Sequence, residues 1–558
     1  MKKTIVSLFA LLGIYSISIA QTVDDGIKLL YYEKIKSAKE TLQKVVASKP
    51  NDAYSIYWLG QAYLADGDIP GAKAVYQKAL QTGVNDPWLW VGMGHVTLLE
   101  NGDMNAARQQ FEQAITTTTT KGKKGGENAD ILNAIGRANG DGSSKQGDAQ
   151  YGIDVLKRAQ AIDLKNPDID INLGLCYLKQ GVDHGGDAVT AFRDATMRNP
   201  QYARAYYRMG RVYQAQNNKE SMENEYQKAI TADPSFGPVY IQYFIYYQNR
   251  DVNKAKEYLD KYVPLADKDC KTDYFVADYL FRAGKYQESL DKAKAMEAGA
   301  CKDFVRIPVL YAFDYDRLGD SIQAKANIEK FFATAPADKI EPADYGFAGK
   351  LIAKFPGSEM AAADYLNKAI ELDTVLANKI EFANTGATIF ANDSNYNQQL
   401  VWLTKVVQLK GKTSESDYYN LSNAAITAKN CVYADSISKA YIAAYPDKPQ
   451  GYSFNIAAAK CMDPDSTKGL AVVPLNMYID YLMKDTAANK VRIYKSYNYL
   501  LTYYTNYAKD YPKAIEVADK MMMLYTSGEE FDYVSNIKKA LMQAMNKKGS
   551  NGGTKSGR

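Results

Sequence analysis

Small and aromatic residues recur along this chain in a pattern that repeats about every 34 residues. The clearest copies begin Leu59-Gly60-x-x-Tyr63 and Met209-Gly210-x-x-Tyr213, and each continues with a tyrosine followed three residues later by an alanine. Apolar positions between these landmarks return with helical spacing, so each copy predicts two amphipathic helices joined by a turn. A small residue lets the two helices approach closely, and the aromatic ring fills the space beside it.

This signature resembles the tetratricopeptide repeat (TPR) family, whose unit is a helix–turn–helix of about 34 residues. The resemblance implies an all-α fold: a right-handed α-solenoid of stacked antiparallel helix pairs, or TPR superhelix. The best repeats are 53–84, 167–200 and 201–234, within an N-terminal and central array over 21–373. From 374 to 546 only the rhythm of helix pairs remains, ending in a capping helix from Glu529 to Met545. We expect roughly thirteen or fourteen pairs.

The first twenty residues predict a cleaved secretory signal peptide. Met1-Lys2-Lys3 is followed by a short apolar run and then by Ala20-Gln21, which indicates cleavage after Ala20. The alternative, a membrane anchor, is disfavoured because the apolar run is short, and no other stretch predicts a transmembrane segment. The mature protein is therefore expected in the periplasm of a Gram-negative bacterium, with residues 547–558 as a disordered tail.

Composition narrows the classes of partner. The chain has 68 basic and 64 acidic side chains, and this balance gives no reason to expect nucleic acid. It is rich in tyrosine, with 45 Tyr against 17 Phe, and tyrosine offers a large contact area with a polar tip. Two Gly-rich polar segments, Thr116 to Glu127 and Asn139 to Gln150, predict loops inserted at the edge of the solenoid.

Four cysteines form two pairs at nearly one repeat of separation. Cys270 and Cys301 each precede a first helix of a pair, whereas we place Cys431 and Cys461 near the ends of such helices. Neighbouring helices lie about 8–10 Å apart, so we expect disulfides Cys270–Cys301 and Cys431–Cys461 in an oxidising compartment. Four reduced thiols are the alternative if the protein is not exported. The fifth cysteine, Cys176, lies at a packing position and is expected to be an inert thiol.

No catalytic, cofactor-binding or metal-binding constellation is evident. The two histidines, His95 and His184, fall in different repeats and lack further ligands at metal-binding spacing. Neither accompanies a nucleophile motif, and no phosphate-binding glycine loop follows a strand. We therefore predict that the protein is not an enzyme and has no cofactor.

A short motif, Asp-Ser/Thr before a small or aliphatic residue, resembles an O-glycosylation signal of exported proteins in some Gram-negative bacteria. Its best-placed copies make Ser466 and Thr486 candidate glycosylation sites. Helix capping by the same residue types explains the motif equally well.

The TPR resemblance also implies a partner-binding surface, because first helices of TPR pairs line the concave face. The matching positions carry aromatic and arginine side chains, which dominate the energetics of protein interfaces. The candidate partner-binding residues are Tyr54, Tyr57, Arg204, Tyr207, Arg211, Tyr240, Phe244, Tyr247, Tyr274, Phe281, Arg282, Phe313 and Arg317. Several of them would instead pack against neighbouring helices.

The leading functional hypothesis is an exported scaffold that holds a partner protein in this groove, within a cell-envelope assembly or secretion complex. The alternative is binding of a glycan or cell-wall polymer along the tyrosine-rich face, since aromatic rings also stack on sugars. A pulldown that is sensitive to substitutions in the groove separates the two hypotheses.

Overall fold

The computed structural model describes residues 21–120 and 126–551 of the chain. These residues form two compact units that divide between Leu310 and Tyr311, inside one helix, and each unit is described separately below. The predicted signal peptide and residues 552–558 lie outside the described residues, as does the centre of the Thr116 to Glu127 segment.

Unit 1 is a stack of helix pairs in which consecutive helices pack together and the first helices of neighbouring pairs also touch. Its helices are α1 (Val23–Tyr31), α2 (Ile35–Ser48), α3 (Ala53–Ala65), α4 (Ile69–Gln81), α5 (Pro87–Leu99), α6 (Met104–Thr118), α7 (Ala129–Gly140), α8 (Ala149–Ile162), α9 (Pro167–Gln180), α10 (Gly185–Arg198), α11 (Ala203–Ala215), α12 (Lys219–Ala232), α13 (Gly237–Tyr247), α14 (Val252–Tyr262), α15 (Cys270–Arg282) and α16 (Tyr286–Ala298), followed by the start of α17 (Ile307–Arg317). We call the odd-numbered helices A helices and their partners B helices.

Unit 2 continues with the same kind of pair. Its helices, after the rest of α17, are α18 (Ser321–Thr334), α19 (Pro342–Ile352), α20 (Glu359–Leu372), α21 (Leu376–Asn392), α22 (Tyr396–Lys410), α23 (Glu415–Thr427), α24 (Cys431–Ala444), α25 (Pro449–Met462), α26 (Val472–Leu482), α27 (Thr486–Asn506), α28 (Tyr511–Leu524) and α29 (Glu529–Asn551). The described residues thus hold fourteen pairs and one last helix, which confirms the predicted all-α stack. None of these helices combines the length and apolarity that crossing a bilayer requires.

Capping side chains set where the helices begin. In α9 the Asn166 side chain accepts a hydrogen bond from the Asp168 amide at 3.0 Å, and Pro167 occupies the first turn, where its missing N–H is harmless. The A–B turns use a residue in the left-handed region: Glu33, Gly67 and Asn101 have φ of 58°, 77° and 56°. Asn tolerates this conformation and Gly adopts it freely, whereas Glu does so less readily.

The expected close approach between A and B helices is present at each of the best repeats. A Cβ atom added to Gly60 would lie 2.1 Å from the ring of Tyr76, and one added to Gly210 would lie 2.3 Å from the ring of Tyr226. These distances are far inside van der Waals contact, so only glycine fits beside the buried ring. In the third pair this role belongs to Gly94, against Phe111, rather than to the neighbouring His95.

Both predicted cysteine pairs lie at disulfide distance. Cys270 is bonded to Cys301 in unit 1 and Cys431 to Cys461 in unit 2, each with a Cα–Cα distance of 5.5 Å. The placement of Cys431 near the end of an A helix was wrong: it is the first residue of the B helix α24. The bond still forms because α24 packs directly against α25, whose last turn carries Cys461. The predicted division at 373/374 rests on repeat signatures and stays a prediction.

Candidate functional site

The first helix of unit 1 contacts helices that follow much later in the chain. The Tyr31 hydroxyl donates to Asp168 Oδ2 at 2.5 Å, and the Tyr32 hydroxyl donates to Asp233. The Ser37 amide donates to Asp267 Oδ2 at 3.2 Å, across 230 residues. The end of α1 and the start of α2 therefore lie against the N-terminal ends of α9, α13 and α15, inside unit 1.

A buried ion cluster lies where α1, α7, α9 and α11 meet. Asp168 accepts from Arg137 at 2.6 Å and also from Arg204, and these three side chains are at most 16% exposed. Burial alone would raise the pKa of the Asp168 carboxyl, but Arg204 and Arg137 outweigh burial and hold the pKa at about 2. Asp168 is thus an anion shared by two guanidinium groups that come from different repeats.

Aromatic side chains enclose this cluster. The Arg137 guanidinium lies 4.5 Å from the ring of Trp58 and donates to the Tyr57 hydroxyl at 3.2 Å. The Arg204 guanidinium lies 4.0 Å from the ring of Tyr31. Contacts of cations with aromatic faces strengthen when both groups are shielded from water, so these rings stabilise the buried charges.

The loop between α7 and α8, which the sequence predicted as an insertion at the solenoid edge, is held against α5. His95 Nε2 lies 3.0 Å from Asp141 Oδ2, and the Ser144 hydroxyl donates to the Leu98 carbonyl at 3.0 Å. Burial raises the pKa of Asp141, but its hydrogen bond and charge interaction with His95 lower the pKa to about 2. These polar contacts attach the loop to the last two turns of α5, and its position at the solenoid edge stays a prediction.

A cavity of about 380 Å³ lies beside the ion cluster, between A helices only and the α7–α8 loop. Smaller cavities of about 280 and 300 Å³ share Tyr31 with it. The lining of the large cavity, which we call the inner cavity, consists of Leu30, Tyr31, Trp58, Gln61, Leu64, Ala65, His95, Arg137, Gly140, Asp141, Gly142, Ser143, Asn172, Leu175, Arg204 and Arg208. Ala65, Gly142 and Ser143 are exposed, so the cavity opens to solvent along this rim.

Five of the thirteen candidate partner-binding residues are buried packing residues, which corrects their expected availability to a partner. Each is at most 6% exposed; they are Tyr57, Tyr207, Tyr240, Phe244 and Tyr247. Tyr207, for example, stacks on Tyr226, meets Phe236 edge-on and donates its hydroxyl to Glu33 at 3.2 Å. The A helices are close enough for large rings at these positions to fill the gap between neighbours.

Arg204 is also engaged within the protein, by its ion pair with Asp168, but the other seven candidates keep some exposed surface. Arg211 and Arg317 are exposed, and the partly exposed ones are Tyr54, Tyr274, Phe281, Arg282 and Phe313. Most of these make a local contact as well: Phe281 packs on Tyr286, and Arg282 donates to Asp278 at 2.7 Å. Their role in partner binding stays a prediction.

The remaining candidates are placed as follows. The Ser466 hydroxyl lies 2.7 Å from the Tyr499 hydroxyl, and the Thr486 hydroxyl donates to the Met483 carbonyl at 3.2 Å, so both candidate glycosylation sites are only partly exposed. Thr486 is the first residue of α27 rather than a loop residue. Cys176 is buried, and burial raises the pKa of its thiol to about 12, which keeps it protonated. No group of three or more His, Cys, Asp or Glu in the described residues could hold a metal ion.

Sequence reasoning missed Arg137, Asp168, Arg208 and the inner cavity. One signal was available: α9 reads PDIDINLGLCYL, and its two aspartates stand among residues that pack as core. An acidic side chain in a buried helix requires a cationic partner, so Asp168 and Asp170 could have been marked as halves of buried ion pairs. Asp170 is indeed paired, with Arg198. The identity of the partners depends on the stacking of distant repeats.

Comparison with known proteins identifies the repeat type. Two family models, both described as tetratricopeptide repeat, match residues 26–87 and residues 203–236. These segments correspond to α1–α4 and to α11–α12, whose helix pairs are thus similar to tetratricopeptide repeats.

Individual relatives are distant. The BBSome complex member BBS4 of Bos taurus is 22% identical over 273 residues, which is 49% of this chain and half the length of that protein. Among solved structures, the C-terminal part of a TPR repeat-containing protein from Cytophaga hutchinsonii is 24% identical, covering 47% of this chain and 98% of its own, with a TM-score of 0.30. Yeast Tom70 is 13% identical, covering 72% and 94%, with a TM-score of 0.37. TM-scores this low support no argument, so the fold assignment rests on the helices and the repeat matches.

Proposed function

We propose that this protein is an exported scaffold that binds a partner protein through its A helices, within a cell-envelope assembly or secretion complex. Tetratricopeptide repeats are stacked units whose extended surfaces serve binding. The observation that carries the proposal is the set of guanidinium and aromatic side chains left exposed or partly exposed on A helices. In unit 1 these include Arg211, Phe281 and Arg282, and in unit 2 Phe313 and Arg317.

Export is supported by two independent features. The first twenty residues have the charge and apolar pattern of a secretory signal peptide. Two cysteine pairs lie at disulfide distance, and disulfides persist mainly in oxidising compartments. Mass spectrometry of the N-terminal peptide from cell envelopes should find Gln21 as the first residue, and non-reducing peptide maps should find both disulfides. An unprocessed N-terminus in the cytoplasm would contradict export.

Partner binding is tested by crosslinking and affinity capture of the mature protein from envelope extracts. Arg211→Glu reverses an exposed charge on the A helix α11, and Arg193→Glu makes the same change on the B helix α10, where Arg193 is also exposed. We expect Arg211→Glu to remove most of the captured partner and Arg193→Glu to leave it unchanged, because like charges across an interface repel. Equal capture by both variants contradicts a role for the A-helix surface.

The glycan alternative is tested beside the capture experiment, by titrating the mature protein with soluble peptidoglycan fragments. A row of tyrosines along α27 and just after its end is partly or fully exposed, and such rings could stack on sugars; they are Tyr499, Tyr503 and Tyr507. Saturable binding of soluble peptidoglycan fragments, without any crosslinked protein partner, would replace the scaffold proposal.

A further inference from the structure

Two buried polar atoms that lack a protein partner belong to side chains that line the same cavity. They are Arg208 Nε and Asn172 Oδ1, and both side chains line the inner cavity. Trp58 lines this cavity as well, but its indole N–H interacts with the Tyr54 hydroxyl. A buried donor or acceptor without a partner is unfavourable, and native proteins rarely leave it so.

The charge balance of the cavity points to an anion. Asp168 pairs with both Arg137 and Arg204, but Arg208 has no carboxylate within 4.0 Å in the described residues. Two further acidic side chains lie nearby, and each has another partner: Asp141 pairs with His95, and Glu33 accepts from the Tyr207 hydroxyl. Burial, followed by the charge of Arg204, lowers the pKa of Arg208, which shows how poorly its positive charge is compensated within the protein.

We propose that the inner cavity binds a small carboxylate ligand, with the Arg208 guanidinium as donor to its oxygens, Asn172 Oδ1 as acceptor from a ligand N–H or O–H, and the Trp58 ring as part of the wall. A single guanidinium group without a paired carboxylate, that of Arg208, matches a monoanion better than a phosphate dianion. A guanidinium group offers a planar fork that suits a carboxylate. The carboxylate comes either from a free small acid or from an acidic side chain of a bound peptide.

The dimensions of the site fit such a group. A volume of about 380 Å³ corresponds to roughly a dozen water molecules at their share of liquid volume of about 30 Å³ each. The ligand enters along the rim of Ala65, Gly142 and Ser143. The inference does not rest on the scaffold proposal, because it concerns side chains inside unit 1 rather than the exposed surface of the A helices.

The test observes the indole N–H signals of protein labelled with ¹⁵N-tryptophan, in which Trp58→Phe assigns the Trp58 signal. The probes are N-acetylglycine, its uncharged analogue N-acetylglycinamide, a capped five-residue peptide with a central glutamate, and inorganic phosphate. We expect a saturable shift of the Trp58 signal with N-acetylglycine or with the peptide, and none with N-acetylglycinamide. A response to N-acetylglycine alone assigns a free acid, and a response to the peptide alone assigns an acidic side chain.

Substitutions of Arg208 distinguish a role in ligand binding from a role in packing. Arg208→Met should weaken binding at least tenfold and raise the thermal midpoint, because it removes a poorly compensated buried charge. Arg208→Lys, which keeps the charge but loses the fork, should fold and bind with intermediate affinity. The matched control is Arg193→Gln, at an exposed arginine of the B helix α10 away from the cavity, which should bind like the wild type.

Several results would overturn the proposal. The first is the absence of any shift with both carboxylate probes. The second is tighter binding of phosphate than of either carboxylate, since this contradicts a monoanion site. The third is unchanged affinity in Arg208→Met, and the fourth is a lowered thermal midpoint of that variant together with unchanged affinity in Arg208→Lys, which would make Arg208 a packing residue.

Discussion

Replacing Asp168 by asparagine should release α1 from the inner face of unit 1. Asp168 is the only carboxylate within 4.0 Å of Arg137 and of Arg204 in the described residues, and it also accepts from the Tyr31 hydroxyl of α1. The asparagine side chain would keep the shape of the aspartate but lose its charge. Two buried guanidinium groups would then remain without a counterion, and one bond holding α1 would be weakened.

The size of the effect follows from the burial of the cluster. Breaking a buried ion pair by removing one partner typically destabilises by about 3 to 5 kcal/mol, because the remaining charge is left uncompensated. Asp168 is 7% exposed and Arg137 and Arg204 are nearly as enclosed, so little screening by solvent reduces this figure. Each 1.4 kcal/mol is a factor of ten, and amide protection in α1 and α9 should therefore fall about 10²- to 10³-fold.

The effect should depend on pH in one direction. The folded-state pKa of Asp168, about 2, lies below its ordinary value of 3.8, so ionisation of Asp168 stabilises the folded state. This contribution, about 2 kcal/mol, is complete above pH 4 and is lost as the pH falls from about 4 towards 2. The difference between wild type and Asp168→Asn should therefore shrink over that interval and be constant above it.

Hydrogen exchange with mass spectrometry measures both the loss of amide protection and its dependence on pH, after correction for the intrinsic pH dependence of exchange. Asp187→Asn is the matched control, because Asp187 is an exposed carboxylate paired only with His184, and its replacement should leave protection unchanged. A loss of protection under threefold in α1, or a difference between variants that is the same at pH 3 and pH 7, would refute the assignment of Asp168 as a shared buried anion.

Two further predictions concern the stack itself. Gly210→Ala should destabilise its helix pair by about 1 to 3 kcal/mol, because the new methyl group would lie 2.3 Å from the Tyr226 ring. The control Gly186→Ala, where an added Cβ has nothing within 4 Å, should be neutral or stabilising. Urea titrations measure both variants, and equal effects would contradict the packing argument. Reduction of Cys431–Cys461, which closes 30 residues and contributes about 3 to 4 kcal/mol in the chain-entropy model, should increase exchange in α24 and α25 while residues 53–234 stay protected. Uniform loss of protection along the chain would contradict it.

The positions of the helix pairs could be predicted because their signals are local. The pair expected at 167–200 is present as α9 and α10, beginning at Pro167, and Val182–His184 between the two helices form a short turn of 3-10 helix. Even in the C-terminal half, where repeat signatures fade, Gly386 lies against Trp402 as a repeat glycine should. Capping, helical periodicity and A–B contacts all act within one repeat, so each can be recognised from a short stretch of sequence.

The availability of the A-helix side chains could not be predicted, because it depends on contacts between distant repeats. Position within the repeat places Tyr207 and Arg211 on the same face of α11, yet one is buried and the other exposed. Tyr207 is covered by Phe236 of the next repeat, and its hydroxyl donates to Glu33, 174 residues earlier in the chain. No pattern within a single repeat contains that information.

The same long-range contacts restrict how a partner could use unit 1. Tyr31 of α1, the following Tyr32 and Ser37 of α2 already contact the N-terminal ends of α9, α13 and α15. A partner that needed this surface would have to displace α1, and loss of the Tyr31 hydrogen bond to the Asp168 carboxylate alone would oppose displacement by about 1.5 to 3 kcal/mol, a loss of roughly tenfold to a hundredfold in affinity. Binding without displacement faces no such penalty. A partner of unit 1 should therefore engage exposed side chains such as Arg211, while small ligands reach the inner cavity.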